Sequence, residues 1–408
     1  MRLSTSWMYQ QSLATMLNQQ STMAATQNEV TTGVRINVAS DDPAGAGQVV
    51  SLGHVIAANT QYSTNIDSAT TRLNTEASTL DSVNSVLDSA RTLALQAING
   101  TMGDSDRKSI ASQLSQIRDQ LVQLANTTDS NGNALFAGTS TTRAPFQVGA
   151  NGVVSYAGND SQQHASIGSG LQVITGDAGS GLFMNIPTGN GSFEASAGGS
   201  DTGTLLVGAN SVADLSAWNS TKNASGGGYT ITFGTGGSWT AADANGNPVL
   251  DSSGNALGGT YQDGGSITFN GMTIAMSGTP DAGDTVSVQT GGQQDIFSTL
   301  SSMIDALQSG ASDTQLTNVM SRQVESIDQA QSQLSATQVS IGGRLNTLTQ
   351  QQGVYKDLNV TYQTALSDVA AADPYTAISN LSLQSAALQA SQQVFAQVKS
   401  MSLFNYIK

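Results

Sequence analysis

The feature that most constrains the fold of this chain is a pair of seven-residue repeats near its two ends. The first repeat comprises Leu52, Asn59, Ile66, Leu73, Leu80, Leu87 and Ala94. The second comprises Met320, Ile327, Leu334, Ile341, Leu348, Tyr355, Tyr362 and Val369. Residues at this spacing form a stripe along one side of a helix, and such a stripe needs a partner helix along its length. We therefore expect the two ends of the chain to come together, with the residues between them forming an insertion.

Aspartate and proline mark where two helices begin, each at the boundary between a terminal segment and the seven-residue repeat beside it. Pro43 and Pro374 each follow an aspartate, and Asp at the N-cap before Pro at the first helical position is a helix-start signal. We predict helices from Pro43 to about Asn99 and from about Asp313 to Val369, each next to a shorter helical segment at the chain end. Two further helices are predicted, one capped by Asp104 or Ser105 and one near 295–308.

The two terminal segments carry more apolar residues than a single partner helix would cover. In the last segment Leu381, Leu388 and Phe395 recur every seven residues beside Val398, and the first segment contains Leu13 and Leu17. Exposed apolar stripes of this size are unfavourable in water. Both segments are therefore predicted to need each other or neighbouring subunits, and the spacing does not choose between these. We expect Leu388 to be covered only after assembly.

Composition excludes several classes of partner and site. The net charge is −15 and the 14 basic residues are scattered, so nucleic acid is not expected as a partner. The chain has no cysteine, which excludes disulfides and thiolate metal sites. Membrane insertion is not expected either, since spanning a bilayer takes about 20 apolar residues in a row. The first residues lack the apolar core of a cleaved signal peptide, so the chain is either cytoplasmic or exported by another route.

The centre of the chain, about 144–292, has a different composition from both ends. It contains 31 of the 43 glycines and ten carboxylates, but a single basic residue, Lys222. Alternating apolar and polar residues predict strands at 229–233, 266–269 and 272–276, and Asn270-Gly271 predicts a two-residue hairpin turn. The centre is therefore predicted to be an antiparallel β domain with a negative surface.

No arrangement of residues in the chain indicates catalysis. The two histidines, His54 and His164, have no acidic or basic residue at a spacing that indicates a catalytic pair. None of the common nucleophile, phosphate-loop or zinc-helix motifs occurs. The segment 243–247 is weakly similar to a calcium loop, but Gly254 stands where a bidentate glutamate is required. We expect no enzymatic activity, no metal and no cofactor.

Several segments resemble the flagellin family. The segment TTGVRINVASDDPAGA (31–46) is similar to the loop between the terminal and long helices of flagellins, and ARTLALQAING (90–100) is similar to the end of their long helix. The residues around LFAGT (135–139), the final MSLFNYIK and SITFNGMTIAMSGTPDAGDTVSV (266–288) look closer to hook-associated members of the family.

The resemblance implies an α+β multidomain fold, in which a long antiparallel helical bundle from the N- and C-terminal regions carries an inserted antiparallel β domain. The implied domains are a terminal helical domain (1–42 and 374–408), a helical-bundle domain (43–165 and 290–373) and an outer β domain (166–289). The terminal helices are expected to line an axial channel. The candidate assembly residues are Leu13, Leu17, Arg35, Asn37, Asp41, Asp42, Leu381, Leu388, Phe395 and Val398.

The resemblance also implies a role. The chain is expected to be a structural subunit of the extracellular flagellum, joining hook to filament. Its implied partners are other copies of itself, the proximal hook-associated junction protein, flagellin, an export chaperone and the type III export apparatus, with export that uses no cleaved signal.

Two other roles stay open at this point. The first is the filament flagellin itself, although Pro43 and the aromatic Tyr406 argue against this role. The second is a secreted hydrolase or lectin that acts through the β domain. Its sugar site would have to use Trp218, Tyr229, Phe233 and Trp239, whereas aromatics in a β domain usually form its core.

Overall fold

The structure is a computed structural model that describes residues 5–99, 102–140, 144–149, 152–199, 201–225, 227–251 and 253–400, with only the backbone described at 5–6, 223–225 and 398–400. The described α-helices are α1 (Thr5–Thr32), α2 (Pro43–Ala97), α3 (Asp104–Ala125), α4 (Leu215–Ser225), α5 (Ile296–Gln308), α6 (Asp313–Ala370) and α7 (Pro374–Ser400). Among them, no helix combines the length and apolarity needed to cross a membrane.

The described chain divides into two compact units. Unit 1 contains the described residues up to 64 and from 350 onward, and unit 2 contains 65–349. Helices α2 and α6 contribute residues to both units. The three-domain division predicted from the resemblance has different boundaries and stays a prediction.

In unit 2, α2 and α6 run antiparallel along the two predicted stripes. Arg91 Nε donates to Asp328 Oδ1 at 2.8 Å, and Gln338 Nε2 donates to Asp81 Oδ1 at 2.6 Å. Residue numbers therefore increase in opposite directions along α2 and α6. The stripe residues in this unit are at most 2% exposed: Ile66, Leu73, Leu80, Leu87, Ala94, Met320, Ile327, Leu334, Ile341 and Leu348. The predicted pairing of the two long helices is confirmed.

The shorter helices also lie where they were predicted, with one correction. Asp295 caps α5 as its Oδ1 accepts a hydrogen bond of 2.7 Å from the Ser298 N–H. The start of α3 is different from the prediction, since its N-cap is Gly103 and no side chain caps it. Asp104 lies in the first turn instead, where its negative charge interacts favourably with the helix dipole.

The described strands are short and pair only antiparallel. They are β1 (Phe146–Val148), β2 (Val154–Tyr156), β3 (Gln163–Gly168), β4 (Leu171–Gly176), β5 (Ile186–Pro187), β6 (Phe193–Ala197), β7 (Leu206–Val212), β8 (Tyr229–Phe233), β9 (Ser238–Asp243), β10 (Gly258–Thr260), β11 (Ser266–Phe269), β12 (Met272–Ser277), β13 (Thr285–Thr290) and β14 (Gln293–Gln294). Strands β8, β11 and β12 confirm the three predicted strands.

A five-stranded sheet and a three-stranded sheet enclose a core of their own. The sheet orders are β10-β9-β8-β13-β6 and β11-β12-β7. Their shared core runs from Phe193 to Val288 and includes Trp218, Tyr229 and Phe233. Three of the four aromatics considered for a sugar site are therefore core residues. Asn270 and Gly271 both have positive φ, at 50° and 79°, so they form the predicted hairpin turn.

The chain enters and leaves this β sandwich at one place. Strand β5 pairs with β14 immediately before and after the sandwich. Next to this pair, the Thr188 N–H donates to the Gly292 carbonyl at 3.1 Å, and the Gly292 N–H donates to Thr188 Oγ1 at 3.0 Å. We call this connection (186–188 with 292–294) the neck.

The hairpin β3–β4 lies outside the sandwich and contacts the long helices. Arg344 of α6 holds both carboxylate oxygens of Asp177, at 2.8 and 3.0 Å, directly after β4. From α2, Arg72 Nε donates to the Thr175 carbonyl at 3.0 Å. These contacts attach the hairpin to the helices, although composition had assigned most of it to the β domain.

One five-residue turn occurs three times in unit 2. It has the pattern D-x-x-G-N, in the segments 129–133, 243–247 and 251–255. In each copy the aspartate Oδ1 accepts hydrogen bonds from the N–H groups two and four residues later, at 2.8–2.9 Å. The glycine has a φ between +79° and +85°. The segment that was compared with a calcium loop is therefore a β-turn closed by its own aspartate.

We predict that the sandwich can be removed at the neck without unfolding the helices. In this variant residues 189–291 are replaced by Asn-Gly, which suits the hairpin that Thr188 and Gly292 already form. The sandwich has its own apolar core, so the helical circular dichroism signal and the cooperative melting of the remainder should persist.

The control deletion follows the β-domain boundary that the resemblance implies and removes 166–289. It also removes Thr175 and Asp177, so that Arg344 loses its carboxylate partner and Arg72 loses one of its backbone partners. Its melting temperature should therefore be clearly lower than that of the neck deletion. Equal loss of helix in both deletions would mean that the sandwich completes the core of the helices.

Candidate assembly site

The loop between α1 and α2 pairs with the connection between α6 and α7 in unit 1. Gly33 ends α1 with a φ of +72°, a conformation that favours glycine. The Arg35 N–H then donates to the Ala370 carbonyl at 2.7 Å, and the Ala372 N–H donates to the Gly33 carbonyl at 2.9 Å. This short antiparallel contact brings the N-terminal and C-terminal segments together at one point.

Arg35 and Asp42 reinforce this contact. Arg35 Nη2 donates to the Val369 carbonyl at 3.0 Å and lies 3.4 Å from Asp42 Oδ2. Asp42 Oδ1 accepts a hydrogen bond of 2.9 Å from the Gly45 N–H, which confirms the predicted cap of α2. The Gly45 N–H, and then Arg35, hold the pKa of the Asp42 carboxyl below its usual value.

Asn37 and Asp41 shape the loop itself. Asp41 Oδ2 accepts hydrogen bonds of 3.0 Å from the N–H groups of Asn37 and Val38, and Asn37 Nδ2 donates to the Val34 carbonyl at 3.0 Å. The four polar residues predicted for the site are thus close together in the structure. Each has a contact inside the chain that explains it.

The terminal helices α1 and α7 pack against each other in unit 1. The rings of Tyr9 and Phe395 pack in a tilted arrangement, with their centroids 5.0 Å apart. Leu388 is only 9% exposed within the single chain, so the expectation that it is covered only after assembly is wrong. Leu388 sits on the face of α7 that α1 already covers, and Leu381 and Phe395 are half-buried. The side chain of Val398 lies outside the described residues.

Other apolar side chains of this pair remain exposed. Leu13 is exposed, and Leu17 is 56% exposed. On α7, the exposed large hydrophobic residues are Tyr375, Ile378, Leu383 and Val394, of which Leu383 is 67% exposed. Neither Leu383 nor Val394 was among the candidate assembly residues. The sequence feature that marks these two residues is their apolar character at positions outside the stripe, where a helix with one partner carries polar residues.

The terminal pair is also almost free of charge. Glu29 is the only charged residue of α1, and Lys399 is the only one of α7. Along the groove between the two helices, the side-chain oxygens of Gln19 and Gln384 are buried without a hydrogen-bond partner among the described residues. The exposed face therefore offers apolar and neutral polar groups to another surface. The described residues contain no group of His, Asp and Glu that could hold a metal ion.

We predict that Gly45→Ala opens the loop contact, while Gly47→Ala in the same helix does not. A Cβ on Gly45 would lie 2.6 Å from Asp42 Oδ2 and from Ile36 Cδ1, whereas nothing lies within 4 Å of a Cβ on Gly47. Crowding of this kind costs about 1–3 kcal/mol, and Ala in place of a helical Gly stabilises by up to about 1 kcal/mol.

Hydrogen exchange at two backbone amides measures the effect directly. The amides of Arg35 and Ala372 should lose protection in Gly45→Ala and keep it in Gly47→Ala. Unchanged protection of both amides in Gly45→Ala would show that the cap tolerates a side chain there.

Comparison with known proteins places this fold. The family model for the bacterial flagellin N-terminal helical region matches residues 3–141. Flagellar hook-associated protein 3 of Salmonella typhimurium is 37% identical over 186 residues, which make up 46% of this chain and 58% of that protein. The match to this curated relative thus spans less than two thirds of its length.

Solved structures match over a larger share of their length. The crystal structure of Xanthomonas campestris FlgL is 32% identical, with a TM-score of 0.69 over 78% of this chain and 99% of that chain. Hook-associated protein 3 of Legionella pneumophila is 28% identical, with a TM-score of 0.71 over 78% of this chain and 98% of that chain. Paired long helices with inserted antiparallel sheets are thus an FlgL-like fold, and the chain belongs to the flagellin family of structural flagellar proteins, within it to the hook-associated protein 3 (FlgL) group and not to any enzyme family.

Proposed function

We propose that the chain is a structural subunit of the junction between the flagellar hook and the filament, and that it assembles through α1 and α7. The observation that carries this proposal is the terminal helix pair, whose exposed apolar side chains and near absence of charge suit burial against similar helices. Its membership of the hook-associated protein 3 group supports the same role.

The physical argument concerns what can cover the exposed face. Leu17, Leu383 and the other exposed apolar residues of α1 and α7 gain free energy when water is removed from them, at about 25 cal/mol per Å². A neutral partner surface also avoids the cost of burying an unpaired charge. The terminal pair of a second copy has both properties, and repeated contacts between identical subunits produce rings or helical arrays.

The wider set of partners follows from this role. The subunit would contact other copies of itself, the proximal hook-associated junction protein on one side and flagellin on the other. Before assembly, an export chaperone would cover the apolar face, and the type III export apparatus would deliver the chain to the outside without a cleaved signal peptide.

We predict that Leu383→Asp abolishes assembly, while Leu250→Asp does not. Both leucines are more than half exposed, at 67% and 59%, so neither change should lower the melting temperature of the isolated monomer by much. At Leu383 the new carboxylate would be buried on assembly at a cost of several kcal/mol. Leu250 lies in the β insertion and belongs to neither terminal helix. In contrast, Leu388→Asp should destabilise the monomer, since α1 already covers this residue.

A strain that lacks the gene for this chain allows the test. Complementation with the parent chain or Leu250→Asp should restore filaments, and Leu383→Asp should leave bare hooks with flagellin released into the medium. Normal filaments with Leu383→Asp would exclude this face as the contact. If the strain without the gene secretes no other filament protein, the chain is itself the flagellin. Normal filaments in that strain would exclude both the junction role and the flagellin role.

A further inference from the structure

A buried group of charged side chains joins four parts of unit 2. Its members, called here the Glu76 cluster, are Arg72 and Glu76 of α2, Asp129 of the first D-x-x-G-N turn, Asp177 after β4 and Arg344 of α6. The Asp177 N–H donates to Glu76 Oε1 at 3.1 Å. The Asp177 carboxylate in turn receives both Nη groups of Arg344. The cluster therefore attaches the end of the β3–β4 hairpin to both long helices.

Glu76 is the member with the fewest partners. Its side chain is fully buried, and its Oε2 has no hydrogen-bond partner among the described residues. The two arginines are committed elsewhere: Arg344 to Asp177, and Arg72 to Asp129 at 2.6 Å and to the carbonyls of residues 134, 135 and 175. A negative charge on Glu76 would thus be buried without a direct ion pair, which is strongly unfavourable.

The charges of the cluster balance only if one carboxyl keeps a proton. Two guanidinium groups face three carboxyl groups, so full ionisation leaves one buried negative charge in excess. Burial raises the pKa of Glu76 from 4.5 to about 8, and the charge of Asp177 adds to this rise. The hydrogen bond from the Asp177 N–H, and then the charges of Arg344 and Arg72, oppose the rise in pKa less strongly. The bond pattern and the balance of charge thus identify the same group as the proton carrier.

We propose that Glu76 is a proton-dependent fastening of the β3–β4 hairpin, which holds the hairpin on α2 and α6 while Glu76 is protonated and releases it when Glu76 loses its proton. The hairpin is the element that would yield, because it is a separate two-stranded sheet, and short two-stranded hairpins have little stability of their own. The device lies entirely in unit 2 and does not depend on what the chain assembles with.

The direction of the pH effect follows from the raised pKa. In the open state Glu76 has its ordinary pKa, so the closed state is fully favoured below about 4.5. As the pH rises towards about 8, the open state gains by releasing the proton that the closed state must retain. The opening equilibrium should therefore rise by up to about tenfold for each pH unit in this window and level off above it.

Hydrogen exchange of the full chain across this pH window tests the proposal, with protection factors used to remove the intrinsic pH dependence of exchange. The amides of β3 and β4 should lose protection in the parent chain as the pH rises. In Glu76→Gln, which keeps the shape but carries no titrating group, protection should be higher at neutral pH and independent of pH.

Glu325→Gln is the matched control. Glu325 is another carboxyl in unit 2 whose pKa burial raises, but it pairs with Arg322 at 2.6 Å and has no contact with the cluster. This variant should show the pH profile of the parent chain. A flat profile in the parent chain, or the same loss of protection in Glu76→Gln, would overturn the proposal.

Infrared spectroscopy gives a second measurement that needs no stable Glu76 variant. In the Glu325→Gln background, the parent cluster should show a protonated carboxyl band at neutral pH that disappears as the pH rises through about 8. Absence of any such band at neutral pH would overturn the proposal even if Glu76→Gln does not fold.

Discussion

The rest of the structure depends on the antiparallel packing of α2 against α6. The stripes on these helices come from opposite ends of the sequence, and each is nearly inaccessible to water in unit 2. Burying them removes a large apolar surface from water, which is the main favourable contribution to folding. Once the pair forms, the segment between the helices must leave and return on the same side, and the neck at β5 and β14 provides this passage.

Arginine side chains connect the remaining elements to this pair. Arg35 reaches the Val369 carbonyl, Arg72 reaches the Thr175 carbonyl, and Arg322 reaches the carbonyls of Val207 and Gly208 on β7 at 3.0 and 2.7 Å. In each case the donor and the acceptor are far apart in sequence. A guanidinium group offers several N–H donors in a fixed plane, so one side chain can satisfy backbone carbonyls that no neighbouring strand covers. These three arginines thus serve contacts within the chain.

The terminal helices differ from the rest of the chain in what they leave uncovered. In unit 2 the apolar stripes are closed by partners within the chain, whereas α1 and α7 cover one face of each other and expose another. An exposed apolar face lowers solubility unless another surface covers it. The proposed assembly role and this uncovered face therefore have the same physical origin.

The sequence by itself determined the long helices, the aspartate cap of α2, the Asn270-Gly271 turn and the glycine-rich insertion. These features depend on residue spacing or on contacts within a few positions, which a linear pattern records. The repeated D-x-x-G-N turn was equally readable but was missed, because only one copy was considered and it was compared with a metal loop.

Only the tertiary structure decided which face of α7 is free, that Leu388 is already buried, and that Asp177 belongs with the helices. It also decided the environment of Glu76, which is one polar residue among many in the sequence of α2. These properties depend on which distant groups meet and on how much water remains between them. The distances between such groups, and the removal of water from around them, are set only when the chain folds. A periodic pattern in the sequence does not contain this information.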